Sequence, residues 1–311
     1  MAKSKPKSKP ICLALQGGGS HGAFQWGVLD RLLEEDLFDF RIVSAASAGA
    51  MNGAALVSGL AKGGSEGARE SLDFLWREVN RSGGRNIFGD SGVWSKLFSP
   101  NWLTESFAWK MGESFATNIS PYQANPFNLN PLKRVVEASI DFESLRNCDI
   151  KLFISTTLVR EGRARLFTNH EMEPDVLLAS ACLPHMFQAV EIDGQDHWDG
   201  GYLANPAIYP LLQTDAPDDI LLLPLNPLER SETPKDSADI MDRLNEIMFN
   251  SPLIAELRSL ALVQDLISQG RLTSTNLTMK APAYTASRSR LGWVSSPSPV
   301  STIPSGASSV T

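Results

Sequence analysis

The sequence predicts an α/β layered fold with a largely parallel central sheet. Three observations carry that expectation. Strand-like and helix-like segments alternate along the chain, the strand-like runs are short and continuously apolar, and 311 residues suffice for one large domain. A strand covered by helices on both faces has no solvent side, so its sequence need not alternate apolar with polar.

Taken in order, Ile11-Cys-Leu-Ala-Leu15 is the first buried strand, ended by glycines. His21 to Glu35 then places Ala23, Val28, Leu29, Leu32 and Leu33 at helical spacing. Arg41-Ile-Val-Ser-Ala45 is a second strand, and Ala48 to Leu60 a helix rich in small residues. Later come the strand Lys151–Thr157, a helix from Glu173 to Cys182, and the buried strand Ile220–Leu223. Two amphipathic helices follow, about Asp236–Met248 and Pro252–Ser268.

The stretch 86–130 breaks that rhythm. It is loop-like yet carries Phe88, Trp94, Phe98, Trp102, Phe107, Trp109, Phe115 and Phe127. The expectation is a cap insertion whose rings pack on one another and on the sheet. Some of them would also suit an acyl-chain pocket or a membrane surface, where a ring with one polar edge is at home. Residues 1–10 alternate Lys with Ser or Pro, and 281–311 are rich in Ser and Pro without an acidic residue. Both are expected to be disordered tails, leaving 11–280 as the domain.

Lys and Arg number 28 against 35 Asp and Glu, a net charge of −7, which argues against a nucleic-acid partner. Cys12, Cys148 and Cys182 form neither a disulfide framework nor a zinc spacing and suit a reducing compartment. The apolar run behind the basic start ends at Leu15, too short for a signal peptide, and no stretch reaches the roughly 18–20 apolar residues of a bilayer span. The expected location is therefore cytoplasmic, with peripheral contact to a membrane left open.

Three segments could do chemistry. Gln16-Gly17-Gly18-Gly19-Ser20-His21-Gly22 lies between a strand and a helix, where glycines can turn several N–H groups toward one anion or developing oxyanion. Ser44-Ala45-Ala46-Ser47-Ala48-Gly49-Ala50 sets a serine at a strand-to-helix turn. Ala45 stands where Gly-x-Ser-x-Gly has its first glycine, and is small enough to keep the turn feasible. His197-Trp198-Asp199-Gly200-Gly201 offers a carboxylate, although an Asp before two glycines is most often a turn. Gly17, Gly19 and Gly22 also match a dinucleotide-binding spacing, but Asp39 precedes the second strand's Ile42-Val43 instead of ending it, which argues against that function.

In this order, on this rhythm, the three segments resemble the patatin-like phospholipases of bacterial type. Ser180-Ala181-Cys182-Leu183-Pro184, the closing Asn205-Pro206 and Ser120-Pro-Tyr-Gln-Ala-Asn-Pro126 look like that family's pattern too. The resemblance covers about residues 11–270. It implies a three-layer α/β/α fold with a mainly parallel sheet, related to the α/β hydrolases, and a serine lipid acyl hydrolase of phospholipase A type. Ser47 would be the nucleophile, Asp199 its activating base, and the amides of Gly17, Gly18 and Gly19 the oxyanion hole, with Gly22 letting the next helix pack closely. The substrate would be a phospholipid or another acyl ester, and the mechanism calls for no metal or organic cofactor. His21 occupies a region where the family often has a basic residue. Two alternatives stay open at this point: a histidine base, from His197 or His185, and a catalytically weak lipid-binding protein that keeps the fold.

Overall fold

A computed structural model of the chain describes residues 8–84, 120–213, 215–272 and 283–285. The strands are β1 (Lys9–Leu15), β2 (Phe38–Ala45), β3 (Lys151–Leu158), β4 (Arg163–Phe167), β5 (Val190–Ile192), β6 (Gln195–Asp199), β7 (Asp219–Leu223) and β8 (Ala283–Thr285). The helices are α1 (Gly22–Glu35), α2 (Ala48–Gly84), α3 (Pro121–Ala124), α4 (Leu132–Ser139), α5 (Phe142–Arg146), α6 (Pro174–Ser180) and α7 (Ser237–Ser268). They build one sheet in the order β5-β6-β3-β2-β1-β7-β8, with β4 also pairing with β3. The pairings among β1, β2, β3, β7 and β8 are parallel, and those of β4, β5 and β6 antiparallel.

β1 explains the layering. Its side chains alternate between faces. Ile11, Leu13 and Leu15 join Leu29 and Leu33 of α1 and Ala54, Ala55 and Leu56 of α2 in the larger apolar cluster. Cys12 and Ala14 face the other way, onto Ile42, Ile220, Leu211 and Leu253 of α7. With both faces buried under helices, the fold is three-layered α/β/α, as the continuous apolar runs require.

Several elements differ from expectation. The helix expected over 48–60 continues to Gly84, broken only at Gly63 and Gly64, where Gly64 takes a left-handed φ of 60°. The two helices expected around Pro252 are one, Ser237–Ser268. A proline lacks one N–H and crowds one carbonyl, and the other bonds of a long helix carry it through. β4, β5 and β6 went unpredicted because RARLF, VEI and QDHWD contain no apolar run. β1 starts at Lys9, inside the expected N-terminal tail, and Ala283–Thr285, inside the expected C-terminal one, pair with Asp219–Leu221 of β7. Those three residues give the outer edge of β7 a hydrogen-bonding partner. The remainder of both tails lies outside the described residues. So does the aromatic insertion up to residue 119; of its named rings only Phe127 is described, 84% exposed. Among the described residues no helix is long and apolar enough to cross a membrane.

Candidate active site

Parallel pairing places the site. Leu15 and Ala45, the last residues of β1 and β2, are register partners, so the glycine segment and the serine turn leave the same edge of the sheet side by side. β6 arrives from the opposite direction. It ends at Asp199 opposite Thr156 of β3, two residues past Ile154, which pairs with Ala45. The chain leaving β2 and the end of β6 therefore converge along β3.

The turn after β2 is tight. Ala46 N–H donates to Leu15 O at 3.3 Å, and Ser47 O accepts from Ala50 and Met51 as α2 begins. Ser47 takes φ 52°, a left-handed conformation that a non-glycine residue holds only at some cost in strain. Gly49 lies so close to the end of β1 that a Cβ there would meet Leu15 O at 2.3 Å. Ala45 is accommodated because it faces Gly53 of α2, where a Cβ would crowd the alanine methyl at 3.3 Å.

Ser47 and Asp199 meet. Ser47 Oγ donates to Asp199 Oδ2 at 2.7 Å, and Gly201 N–H donates to Oδ1 at 2.7 Å. The carboxyl is fully buried, and burial pushes its pKa up to about 7 against the opposing pull of those two hydrogen bonds. It thus titrates near neutrality, where a solvated aspartate would be ionised throughout.

The glycine segment is held by a collar of side-chain amides, of which Gln16, Asn205 and Asn250 are buried. Gly17 N–H donates to Asn205 Oδ1 at 2.7 Å, and Gly17 O accepts from Asn226 Nδ2 at 2.7 Å. Of the three amides expected to form the oxyanion hole, that of Gly17 thus has a side-chain acceptor within the fold. Among the described residues, the N–H groups of Gly18 and Gly19 have no acceptor. Gln16 Oε1 accepts from the N–H groups of Leu225 and Asn226, and its Nε2 donates to Asn250 Oδ1. Gly22 sits against Trp76 and Ala48, where a Cβ would fall within 3.0 Å of both. Sequence reasoning gave Gln16, Asn226 and Asn250 no role. The available signal was a lone amide, Gln16, closing an otherwise apolar strand run.

The histidines lie elsewhere. His197 is fully buried, its Nδ1 2.9 Å from Thr156 Oγ1 and its ring 5.6 Å from that of Phe167. Burial, helped by the Arg165 charge, lowers its pKa. His170 and His185 are exposed. His21 is half-buried, its Nδ1 without a partner among the described residues, and burial lowers its pKa against the pull of Glu246. Burial also pushes the Cys12 and Cys182 thiols up to about 12, with the Asp199 charge adding to it at Cys182, so both are inert. Among the described residues no group of three or more His, Cys, Asp or Glu side chains is arranged to hold a metal ion.

A mainly parallel sheet between helix layers, with Ser47 just past the carboxyl end of β2, defines an α/β/α protein with a strand-to-helix serine turn. The chain belongs to the patatin-like phospholipases: that family's model matches residues 13–212. The family is one of lipid acyl hydrolases. Among solved structures, VipD from Legionella pneumophila is similar at 17% identity with a TM-score of 0.39, over 70% of this chain and 50% of VipD. This chain thus spans half the length of VipD. No curated protein matches.

Proposed function

We propose that the protein is a serine lipid acyl hydrolase that works through a Ser47–Asp199 dyad and an acyl-enzyme. The observation carrying this reading is the 2.7 Å hydrogen bond from Ser47 Oγ straight to the buried Asp199 carboxylate. With Asp199 in that place, neither His197 nor His185 is needed as a base.

Ser47 Oγ attacks the acyl carbonyl as its proton passes to Asp199 Oδ2. The tetrahedral oxyanion is received by the Gly18 and Gly19 amides, each such donor being worth roughly 3 kcal/mol. Collapse expels the alcohol, which takes the proton from Asp199, and leaves Ser47 acylated. Water, deprotonated by the same carboxylate, then attacks the acyl-enzyme; collapse breaks the bond to Ser47 Oγ, which takes the proton back from Asp199, and frees the fatty acid. A carboxylate with a pKa near 4 would be a poor base for this, and burial that raises it to about 7 improves the match.

The test is hydrolysis of p-nitrophenyl acyl esters, then of phospholipid vesicles, by wild type, Ser47→Ala and Asp199→Asn, with folding checked by circular dichroism. Both variants are expected to lose at least about 10³-fold in kcat. Wild-type kcat/KM is expected to rise about tenfold per pH unit up to about 7 and then level, because only ionised Asp199 accepts the proton. Full activity in Ser47→Ala would remove the nucleophile. A wild type that binds vesicles and hydrolyses nothing would turn the reading to lipid binding without turnover.

A further inference from the structure

Two backbone hydrogen bonds, neither involved in the chemistry above, converge on one short segment. Ser180, the last residue of α6, is fully buried, and its Oγ accepts the N–H of Ser47 at 2.9 Å. The same oxygen donates its only proton to Ser155 O at 2.8 Å, which leaves a lone pair facing Ser47. Two residues on, Cys182 O accepts the N–H of Asp199 at 2.8 Å. We propose that Ser180 and Cys182 form the positioning clamp of the dyad: the Ser180 hydroxyl fixes the backbone of the nucleophile and the Cys182 carbonyl that of its base. The proposal rests on the reading of Ser47 and Asp199 as a catalytic pair.

The geometry makes the clamp short and stiff. Ser180 and Cys182 are separated only by Ala181, and every residue from Val176 to Ser180 is buried in the core. Ser155, on which Ser180 rests, lies in the middle of β3, and its Oγ lies within hydrogen-bond distance of Ala45 O, at the end of β2, and of Ala204 O, in the chain after β6. Asp199 is held from its other side by Thr157 Oγ1, which donates to its carbonyl at 2.8 Å. Ser47 is buried, and an unpaired N–H donor there is costly. Ser180 meets that need. It also occupies the Ser47 N–H, which is therefore not an oxyanion donor. Removing the Ser180 oxygen frees the nucleophile's backbone to relax, and the hydroxyl then loses its alignment with Asp199.

The experiment compares wild type, Ser180→Ala and Ser180→Cys, with Ser139→Ala as a control for truncating a buried hydroxyl elsewhere; Ser139 Oγ has no partner among the described residues. The readouts are kcat and KM on a p-nitrophenyl ester, the labelling rate of Ser47 by a fluorophosphonate, the pH profile of kcat/KM, and the thermal midpoint. Ser180→Ala is expected to lower kcat and labelling on the order of 10- to 100-fold with KM within about twofold. Its acid limb should move to higher pH, because the Ser47 hydroxyl is one of two hydrogen bonds that hold the Asp199 carboxyl down. The other groups facing that carboxyl are the Gly201 N–H, the Cys182 thiol and the Tyr202 hydroxyl; both side chains are pushed up by burial and stay neutral. Ser180→Cys keeps a side chain of similar shape but with a weak acceptor, and is expected to fall between the two; it decides the matter if Ser180→Ala does not fold. A folded Ser180 variant with wild-type kcat and an unmoved acid limb overturns the clamp, whatever its thermal midpoint. So does a Ser139→Ala variant that loses as much activity. A wild type that neither hydrolyses ester nor labels at Ser47 overturns the dyad reading and the clamp with it.

Discussion

The two ends of the parallel strands are built on opposite principles. Where β1 and β2 finish, polar groups are buried and joined by short hydrogen bonds: Gln16, Ser47, Ser180, Asp199 and Asn205. Where the same strands begin, polar groups are charged and exposed. Lys9 pairs with Asp219 at 2.6 Å, Lys151 with Asp215 at 2.7 Å and Arg41 with Asp39 at 2.5 Å. Of these side chains all but Asp39 line an open groove of about 590 Å³, together with Asp149 and Asp218. Water screens the charged end, and each exposed pair there is worth about 0–1 kcal/mol. The buried end has no such screen, so a missing partner leaves an unpaired group and a displaced atom has nowhere to go. Burial at that end pushes the Asp199 pKa up to about 7.

The largest expected effect breaks the buried end by crowding it. Gly200→Ala puts a Cβ 2.0 Å from Ser155 O, backbone that cannot retreat. It should cost more than about 3 kcal/mol or prevent folding, measured by urea denaturation. A mild effect would mean that the buried end is looser than the close approach implies.

Next comes Asp199→Asn. Raising a carboxyl from 3.8 to about 7 disfavours the ionised folded protein by about 4 kcal/mol. The sign follows from the protons. Below about pH 4 both folded and unfolded chains hold the proton, and stability falls as pH rises from there to about 7, because the unfolded chain releases it first. The variant should therefore gain thermal stability over wild type above about pH 7, and the gain should vanish toward about pH 4. Equal curves at both pH values would show that the carboxyl carries no such strain.

His197→Gln tests the other buried titrating group and has the opposite sign. A pKa lowered by burial means that stability is lost as pH falls below about 6.5, where the unfolded histidine takes a proton first. The variant keeps a partner for Thr156 and should flatten that loss, read from denaturation midpoints between about pH 5 and 7. The smallest effect belongs to the charged end. Lys151→Ala should change stability by less than about 1 kcal/mol, and added salt should reduce even that. A larger loss would erase the contrast between the two ends.

How much of this could be read without coordinates follows from the range of the forces involved. Ile11–Leu15, Arg41–Ala45 and Ile220–Leu223 announced themselves because strands buried on both faces must be apolar throughout. Ser47 was legible from a turn that admits only small neighbours, and the Gly17–Gly19 loop from its position between strand and helix. Asp199 was paired with Ser47 through the family resemblance and not through any local signal, since 152 residues separate the two and β6 carries no apolar signature. The alanine at position 45 is explained by Gly53 across the layer, and the occupied Gly17 amide by Asn205, 188 residues on.

Local chemistry, meaning which residues can turn, bury or attack, is thus written along the chain, because it depends on neighbours within a few positions. Which amide is free, which hydroxyl accepts the Ser47 N–H and how far one carboxyl is drawn from water depend on contacts between β1, β2, β3, α6 and β6. Hydrogen bonds and desolvation act over a few ångströms, and only the packed tertiary structure sets those distances.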